Sequence, residues 1–232
     1  MPKTYRKKFR RSTGLSNKVK SLEKKVSRID TTIERKNIDI DARGTLSIVA
    51  PFPAFVLNTI DLASQGTDVN ERIGNKITAR QIQVRVTLNM SGPSFTSSMF
   101  VRILVVQWIN NQEDPLPADV NQCIDYTTPT TPNTSLGAIN SPYQINSNKK
   151  YRILDDKVIT LTAGSNQRVK FYKKYFTLKG KSQICTFENV TPARDAPSNN
   201  QVSVFLVPAY TSSPISGACD YTIRSRLYYQ DA

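Results

Sequence analysis

Ile77 to Met90 reads ITARQIQVRVTLNM, and within it Ile82, Val84, Val86, Leu88 and Met90 alternate with Gln81, Gln83, Arg85, Thr87 and Asn89. A period of two sends successive side chains to opposite faces of a strand, so this segment predicts one face in a core and one face in solvent or in contact. Downstream, Ser98 to Ile109 contains the nearly unbroken apolar run MFVRILVVQWI. A strand covered on both faces has that composition. Tyr151 to Thr162, Val169 to Leu178, Gln183 to Phe187, Val202 to Val207 and Tyr221 to Tyr229 complete the strong strand set, with Leu46 to Val49 and Phe55 to Ile60 weaker. Pro, Gly, Asn and Ser clusters separate them. About eight strands with turn signals between them predict an all-β antiparallel domain over residues 37–232, either a sandwich or a jelly roll.

The interval from Asn110 to Lys150 stands apart, with Pro115, Pro117, Pro129, Pro132 and Pro142 and one expected helical turn around Ala118 to Ile124. Connections of this length in small domains are usually functional surface elements. The tyrosines and Trp108 are expected as core or interface anchors.

Charge divides the chain differently. The 232 residues carry a net +14, yet residues 1–36 alone hold thirteen Lys/Arg against three Asp/Glu, leaving only +4 for the remainder. A basic appendage on a nearly balanced domain points to a polyanionic partner, nucleic acid ahead of acidic lipid or heparin. Within residues 1–13, KTYRKKFRR supplies Lys3, Arg6, Lys7, Lys8, Arg10 and Arg11 without an acid. Such a block repels itself and is expected to stay disordered until phosphates neutralise it, serving as a genome-binding arm, a nuclear localisation signal or both. Residues 14–36 then space Leu15, Val19, Leu22, Val26, Ile29 and Ile33 by 4, 3, 4, 3 and 4. That is a heptad seam on an amphipathic helix, with Lys18, Lys20, Lys24, Lys25 and Arg28 on the other faces as further candidate phosphate contacts. At under three heptads it needs neighbours or nucleic acid to form, packing either between chains or on its own domain.

A second basic cluster, RVKFYKKYFTLKGK over Arg168 to Lys181, interleaves cations with rings on both faces of a strand. This composition suits nucleic acid, and equally a solvated edge strand whose lysines deter pairing. The carboxylates Glu113, Asp114, Asp119, Asp125, Asp155 and Asp156 follow no calcium-loop spacing and are expected as solvated groups or intersubunit ion pairs, so neither metal nor cofactor is expected.

The chain contains no histidine, which excludes imidazole-based nucleophile systems and zinc sites, and it contains no phosphate-binding glycine loop. Cys123, Cys185 and Cys219 lack paired spacing, favouring free thiols in a reducing compartment. No apolar run is long enough to span a membrane, no secretory signal is expected, and the Asn-x-Ser/Thr triplets at Asn89, Asn133 and Asn189 read as chance.

Taken in order, the KKFRR arm, the basic helix, GNKITARQIQVRVTL, VRILVVQW, the Pro-rich interval, NKKYRILDDKVITL and VSVFLVPAY resemble the capsid proteins of small circular single-stranded DNA viruses that encode a rolling-circle replication protein. The layout is also similar to the satellite tobacco necrosis virus coat protein. Lys150 to Asp155, KYRILD, is the most suggestive piece. The resemblance implies a single eight-stranded antiparallel jelly roll and an icosahedral homo-oligomer of about sixty copies. It further implies inward-projecting arms holding a single-stranded genome, DNA ahead of RNA, and a location in the virion and in the host nucleus or cytoplasm. The helix seam would gather beneath three-fold axes. The expected function is therefore structural, without catalysis. The alternatives are a nucleic-acid-binding protein that forms no shell, of nuclear-shuttle, movement or ribosomal type, and an Asp/Glu-dependent nuclease.

Overall fold

Residues 17–25, 35–46, 55–60, 66, 71–91, 98–110, 116, 119–125, 137–144, 150–162, 168–187, 197–210 and 218–231 are described by the computed structural model. The chain divides into two compact units, Met1–Glu34 and Arg35–Ala232. In the first, residues 17–25 form helix α1, solvent-exposed along its whole length.

The second unit is built from strands β1 (Lys36–Leu46), β2 (Phe55–Asn58), β3 (Lys76–Ser91), β4 (Met99–Trp108), β5 (Tyr151–Leu161), β6 (Val169–Thr177), β7 (Ile184–Thr186), β8 (Val202–Tyr210) and β9 (Ala218–Asp231). Two short helices, α2 (Val120–Cys123) and α3 (Gly137–Asn140), lie between β4 and β5. The antiparallel pairs β1–β9, β2–β8, β3–β6 and β4–β5 nest inside one another like one long folded ribbon. Rolling that ribbon brings β3 beside β9 and β4 beside β8. The result is a five-stranded sheet ordered β1-β9-β3-β6, with β7 also on β3, facing a four-stranded sheet ordered β2-β8-β4-β5. This is the jelly roll. Nine strands occupy eight positions, because β6 and β7 pair with successive parts of β3 and the 3₁₀ turn Gly180–Gln183 breaks the position between them.

The alternation in β3 changes phase once. Ile77 and Ala79 are buried, then Ile82, Val84, Val86, Leu88 and Met90, a step of three instead of two. A bulge at Arg80 absorbs the extra residue, since Ala79 pairs with Tyr229 and Gln81 with Tyr228. Arg80 turns its Nε to Gln230 Oε1 at 2.8 Å. The inward residues of β3 share one core with Met99, Val101, Ile103 and Val105 of β4 and with Ile223 and Leu227 of β9.

Strand β4 is apolar throughout because its other face is covered too. Leu104, Val106 and Trp108 pack with Phe205 and Val207 of β8 and with Val120, Cys123 and Ile124, which come from the long connection. Trp108 donates from Nε1 to Ser203 Oγ at 3.0 Å, and Tyr151 donates to the Cys123 carbonyl at 3.0 Å. The described part of the Pro-rich interval around α2 thus caps the outer face of the four-stranded sheet. One helical turn was expected there, and α3 is a second.

Strand β1 differs from expectation. A strand at Leu46 to Val49 was predicted, but β1 runs through the charged segment KNIDIDARGTL and begins at Lys36, where the basic helix was expected to end. Ile38, Ile40, Ala42, Gly44 and Leu46 turn inward, so the period of two is intact beneath the charges. Gly44 is required by close approach: a Cβ there would lie 2.7 Å from the Tyr221 hydroxyl.

Two substitutions test this packing. Leu104 is fully buried, so Leu104→Ala should cost about 3 kcal/mol in equilibrium urea unfolding if the connection covers that face, and almost nothing if the face is wet. Ser225 sits in the core of β9 with no hydrogen-bond partner for its hydroxyl. Ser225→Ala should leave stability unchanged or raise it by about 1 kcal/mol in the same assay.

Candidate functional site

The sandwich has two outer faces of different character. On the four-stranded sheet, Arg102 donates to Asp156 from Nε and Nη2 at 2.9 and 2.7 Å and to the Ser141 carbonyl at 3.0 Å, while Tyr143 donates to Asp156 at 2.8 Å. The long connection therefore seals a buried ion pair as well as an apolar cluster. Among the described residues, no comparable segment lies over the five-stranded sheet.

The register of that sheet sets its outward residues in rows. Asp41 of β1, Arg224 of β9, Arg85 of β3 and Lys173 of β6 form one row, each opposite the next. In the next row lie Arg43, Thr222, Thr87 and Phe171, and in the row on the other side Asp39, Arg226, Gln83 and Tyr175. Strands lie about 4.8 Å apart, so the three central cations fall within about 10 Å. Like charges placed directly opposite are destabilising, and across these three rows five cations, Arg43, Arg85, Lys173, Arg224 and Arg226, face two carboxylates, Asp39 and Asp41. Asp39 is held by Arg226, which pulls its carboxyl below the ordinary value, and Asp41 lies 3.8 Å from Arg43. An open cleft of about 520 Å³ runs over Arg43, Arg85, Lys173, Arg224 and Phe171.

Two rings flank Lys173 on this face. Phe171 is 76% exposed and Tyr175 48% exposed, while Phe176 on the opposite face is buried in the core. Cations and rings interleave on both faces of β6, with Lys174 lying over the Phe176 ring on the inner side, but the exposed rings are confined to the outer face because Tyr172 and Phe176 serve the packing between sheets. Lys173 Nζ lies 5.3 Å from the Tyr175 ring centre, and its hydrogen bond to the phenol oxygen holds that hydroxyl below its usual pKa. With its amide oxygen turned toward them, Gln83 accepts from Arg85 Nε and Nη2 at 2.9 Å and from the Tyr175 hydroxyl at 2.8 Å. These contacts fix both side chains from below.

Strand β6 is tied down by a link between the sheets. Asp155 of β5 accepts from Tyr172 and from Lys174 of β6. It stands beside a second bulge, where Val105 pairs with Asp155 and Val106 with Ile153. Asp155 and Asp156 were expected as solvated or intersubunit carboxylates, but both make pairs within the chain, since the bulge and the β5–β6 approach aim them at Arg102 and Lys174.

Of the arm residues read from sequence, Lys3, Arg6, Lys7, Lys8, Arg10, Arg11 and Arg28 lie outside the described residues, as do Leu15, Val26, Ile29 and Ile33 of the seam. Lys18, Lys20, Lys24 and Lys25 are exposed on α1, and so are Val19 and Leu22. Lys36, counted with the basic segment, belongs to the sandwich instead. It is 3% exposed, 2.9 Å from Asp231, and donates to the Glu71 carbonyl at 2.6 Å. This neutralisation leaves +9 over residues 1–35. Arg43 and Arg224 were missed as site residues. Their signal was the alternation in DARGT and YTIRSRL, but the register that joins them to Arg85 is not written in either segment.

No family model and no curated protein matches the chain. Among solved structures it is similar to that of Mud crab tombus-like virus, with a TM-score of 0.44 and 12% identity over 85% of this chain and 81% of that one. It is also similar to Desmodium yellow mottle tymovirus, with a TM-score of 0.35 and 10% identity over 85% of this chain and 88% of that one. Strand order defines the class here, a jelly-roll sandwich, and among the described residues one of its faces is capped and the other is cationic and uncapped.

Burial raises the Asp155 pKa, but Lys174 and Tyr172 outweigh it and hold the carboxyl below 3.8. The link thus contributes fully above pH 4 and is lost as the pH falls through the depressed value. Asp155→Asn should cost about 1–2 kcal/mol at pH 7 and flatten the fall in stability below about pH 4, read from urea midpoints across that range.

Proposed function

We propose that this chain is the structural subunit of a small viral shell, a capsid protein that self-assembles and encloses single-stranded nucleic acid. The observation that carries the reading is one polypeptide joining a jelly roll to a strongly basic N-terminal segment. Jelly rolls serve as capsid domains, lectins and cupins, and the choice among them rests on chemistry rather than fold. The chain has no histidine for an imidazole metal centre, and its charge excess lies ahead of the sandwich, where it suits phosphate. Residues Lys3 to Arg11 and the cations of α1 would contact the backbone of the strand and confer no base preference. The Leu15 to Ile33 seam, two of whose members are exposed on α1, would associate between copies. DNA is favoured over RNA as cargo, and the virion is the expected location. Shell formation separates this reading from a non-assembling nucleic-acid-binding protein.

Electron microscopy of the purified full chain should show uniform round particles; a monomer that binds single strands with a steep salt slope would establish the alternative. If sixty copies assemble, about 540 positive charges from residues 1–35 are available to the cargo. Deleting residues 1–11 removes six of these cations per copy. The nucleic-acid content per particle, derived from the ratio of nucleic-acid to protein absorbance, should then fall by about half or more, with the β-signature in circular dichroism retained.

A further inference from the structure

We propose that the outer face of the five-stranded sheet is a stacking platform for single-stranded nucleic acid, with bases on Phe171 and Tyr175 and phosphates on Arg85, Lys173, Arg224 and Arg43. The inference rests on the capsid reading only for its choice of ligand. It assigns to the folded domain a contact separate from the basic arm.

Three observations converge on it. The first is charge: Arg224, Arg85 and Lys173 stand in cross-strand register, and with Arg43 and Arg226 they make five cations against the two carboxylates Asp39 and Asp41 on the same face. A polyanion relieves this repulsion, and a chain of phosphates matches a row of cations better than a single counter-ion does. The second is the rings. Phe171 is the most exposed large apolar side chain among the described residues, and Tyr175, two positions beyond Lys173, shares its face. A ring, a cation and a ring at every second residue of a strand give stacking surfaces about 13 Å apart with a phosphate contact between them.

The third is position. Strand β6 ends the sheet order β1-β9-β3-β6, so its rings stand beside a strand edge that no other described strand pairs with, where a base can approach without displacing a neighbouring strand. Closed base pairs keep their faces inside the stack and cannot use such rings, whereas an unpaired strand presents every base. Gln83 and the Tyr172–Asp155 link hold β6 and Tyr175 in place before any ligand arrives, which lowers the ordering cost of binding.

The test uses the full chain with its arm. A twenty-nucleotide oligothymidine carrying 5-iodouracil is photocrosslinked and the adducts are mapped by mass spectrometry. Binding of the unmodified single strand and of a duplex of equal length is measured by fluorescence anisotropy. Adducts are expected at Phe171 or Tyr175 in addition to the arm. Phe171→Leu, which keeps an apolar side chain but removes the ring, should weaken single-strand binding by about tenfold and duplex binding by less than about twofold, and Phe171→Tyr should restore it. Arg85→Gln should weaken both ligands and make the salt dependence shallower by about one ion. Lys157→Gln, on the other sheet, supplies the control for loss of one charge. Phe171 is exposed, so an unchanged thermal midpoint verifies folding. Adducts confined to residues 1–35 together with unchanged affinity in Phe171→Leu would overturn the proposal. So would loss of assembly with unchanged affinity, because the ring would then be an anchor between copies. Particles without sheet adducts leave the shell reading standing, and sheet adducts without particles leave this site standing.

Discussion

The register between β3 and β9, fourteen pairs from Ile77↔Asp231 to Ser91↔Ala218, is the constraint on which both faces of the sheet depend. Side chains alternate with a period of two, so a slip by one residue would send Val84, Val86 and Ile223 to solvent and draw Arg85 and Arg224 into the core. Burial of the apolar set therefore fixes the position of the charged set. The row Arg224–Arg85–Lys173 is the outer side of the same pairing that packs the inner side. The hydrophobic term outweighs the surface repulsion that accompanies it, because each buried aliphatic side chain contributes about 1.5–3 kcal/mol and an exposed like-charge pair costs under about 1 kcal/mol.

The two sheets are treated unequally by the chain. The four-stranded sheet has a capped outer face, and the cap contributes a second apolar cluster and a carbonyl that helps satisfy Arg102. Burying that guanidinium without Asp156 and the Ser141 carbonyl would be expensive, so cap and ion pair depend on each other. Among the described residues, the five-stranded sheet has no such cap, and its outer face is mostly charged and polar, with Phe171 as the exposed exception. Among the described residues, this asymmetry leaves the five-stranded face open to a charged ligand.

Strands with a dominant local signal were legible in the sequence. β3 announced itself by alternation and β4 by an apolar run, and the run also foretold the second covered face. β1 was hidden because Asp39, Asp41 and Arg43 masked the small inward residues Ala42 and Gly44, the second of which lies against Tyr221. The bulges at Arg80 and Leu154 belong to strand pairs, not to segments, although the three-residue step from Ala79 to Ile82 was a visible trace of the first. Within the candidate site, the cluster on β6 was legible and its partners were not. Arg43, Arg85 and Arg224 come from three strands whose adjacency is created by rolling the ribbon, and no local pattern encodes which distant strands meet. The basic arm was legible as composition, except that Lys36 was counted with it although the sandwich holds that side chain.

The three cysteines have a further consequence. Cys123, Cys185 and Cys219 are buried, and burial pushes the thiols of Cys185 and Cys219 up to about 12 and that of Cys123 higher still. The thiolate is the form that attacks an electrophile, so while the domain is closed these buried thiols react little in neutral solution. They reside in α2, β7 and β9, which places one in the cap, one at the broken strand position and one in the central sheet. Their separate alkylation rates amount to three clocks built into the chain, each timing how often its own part of the sandwich opens to water.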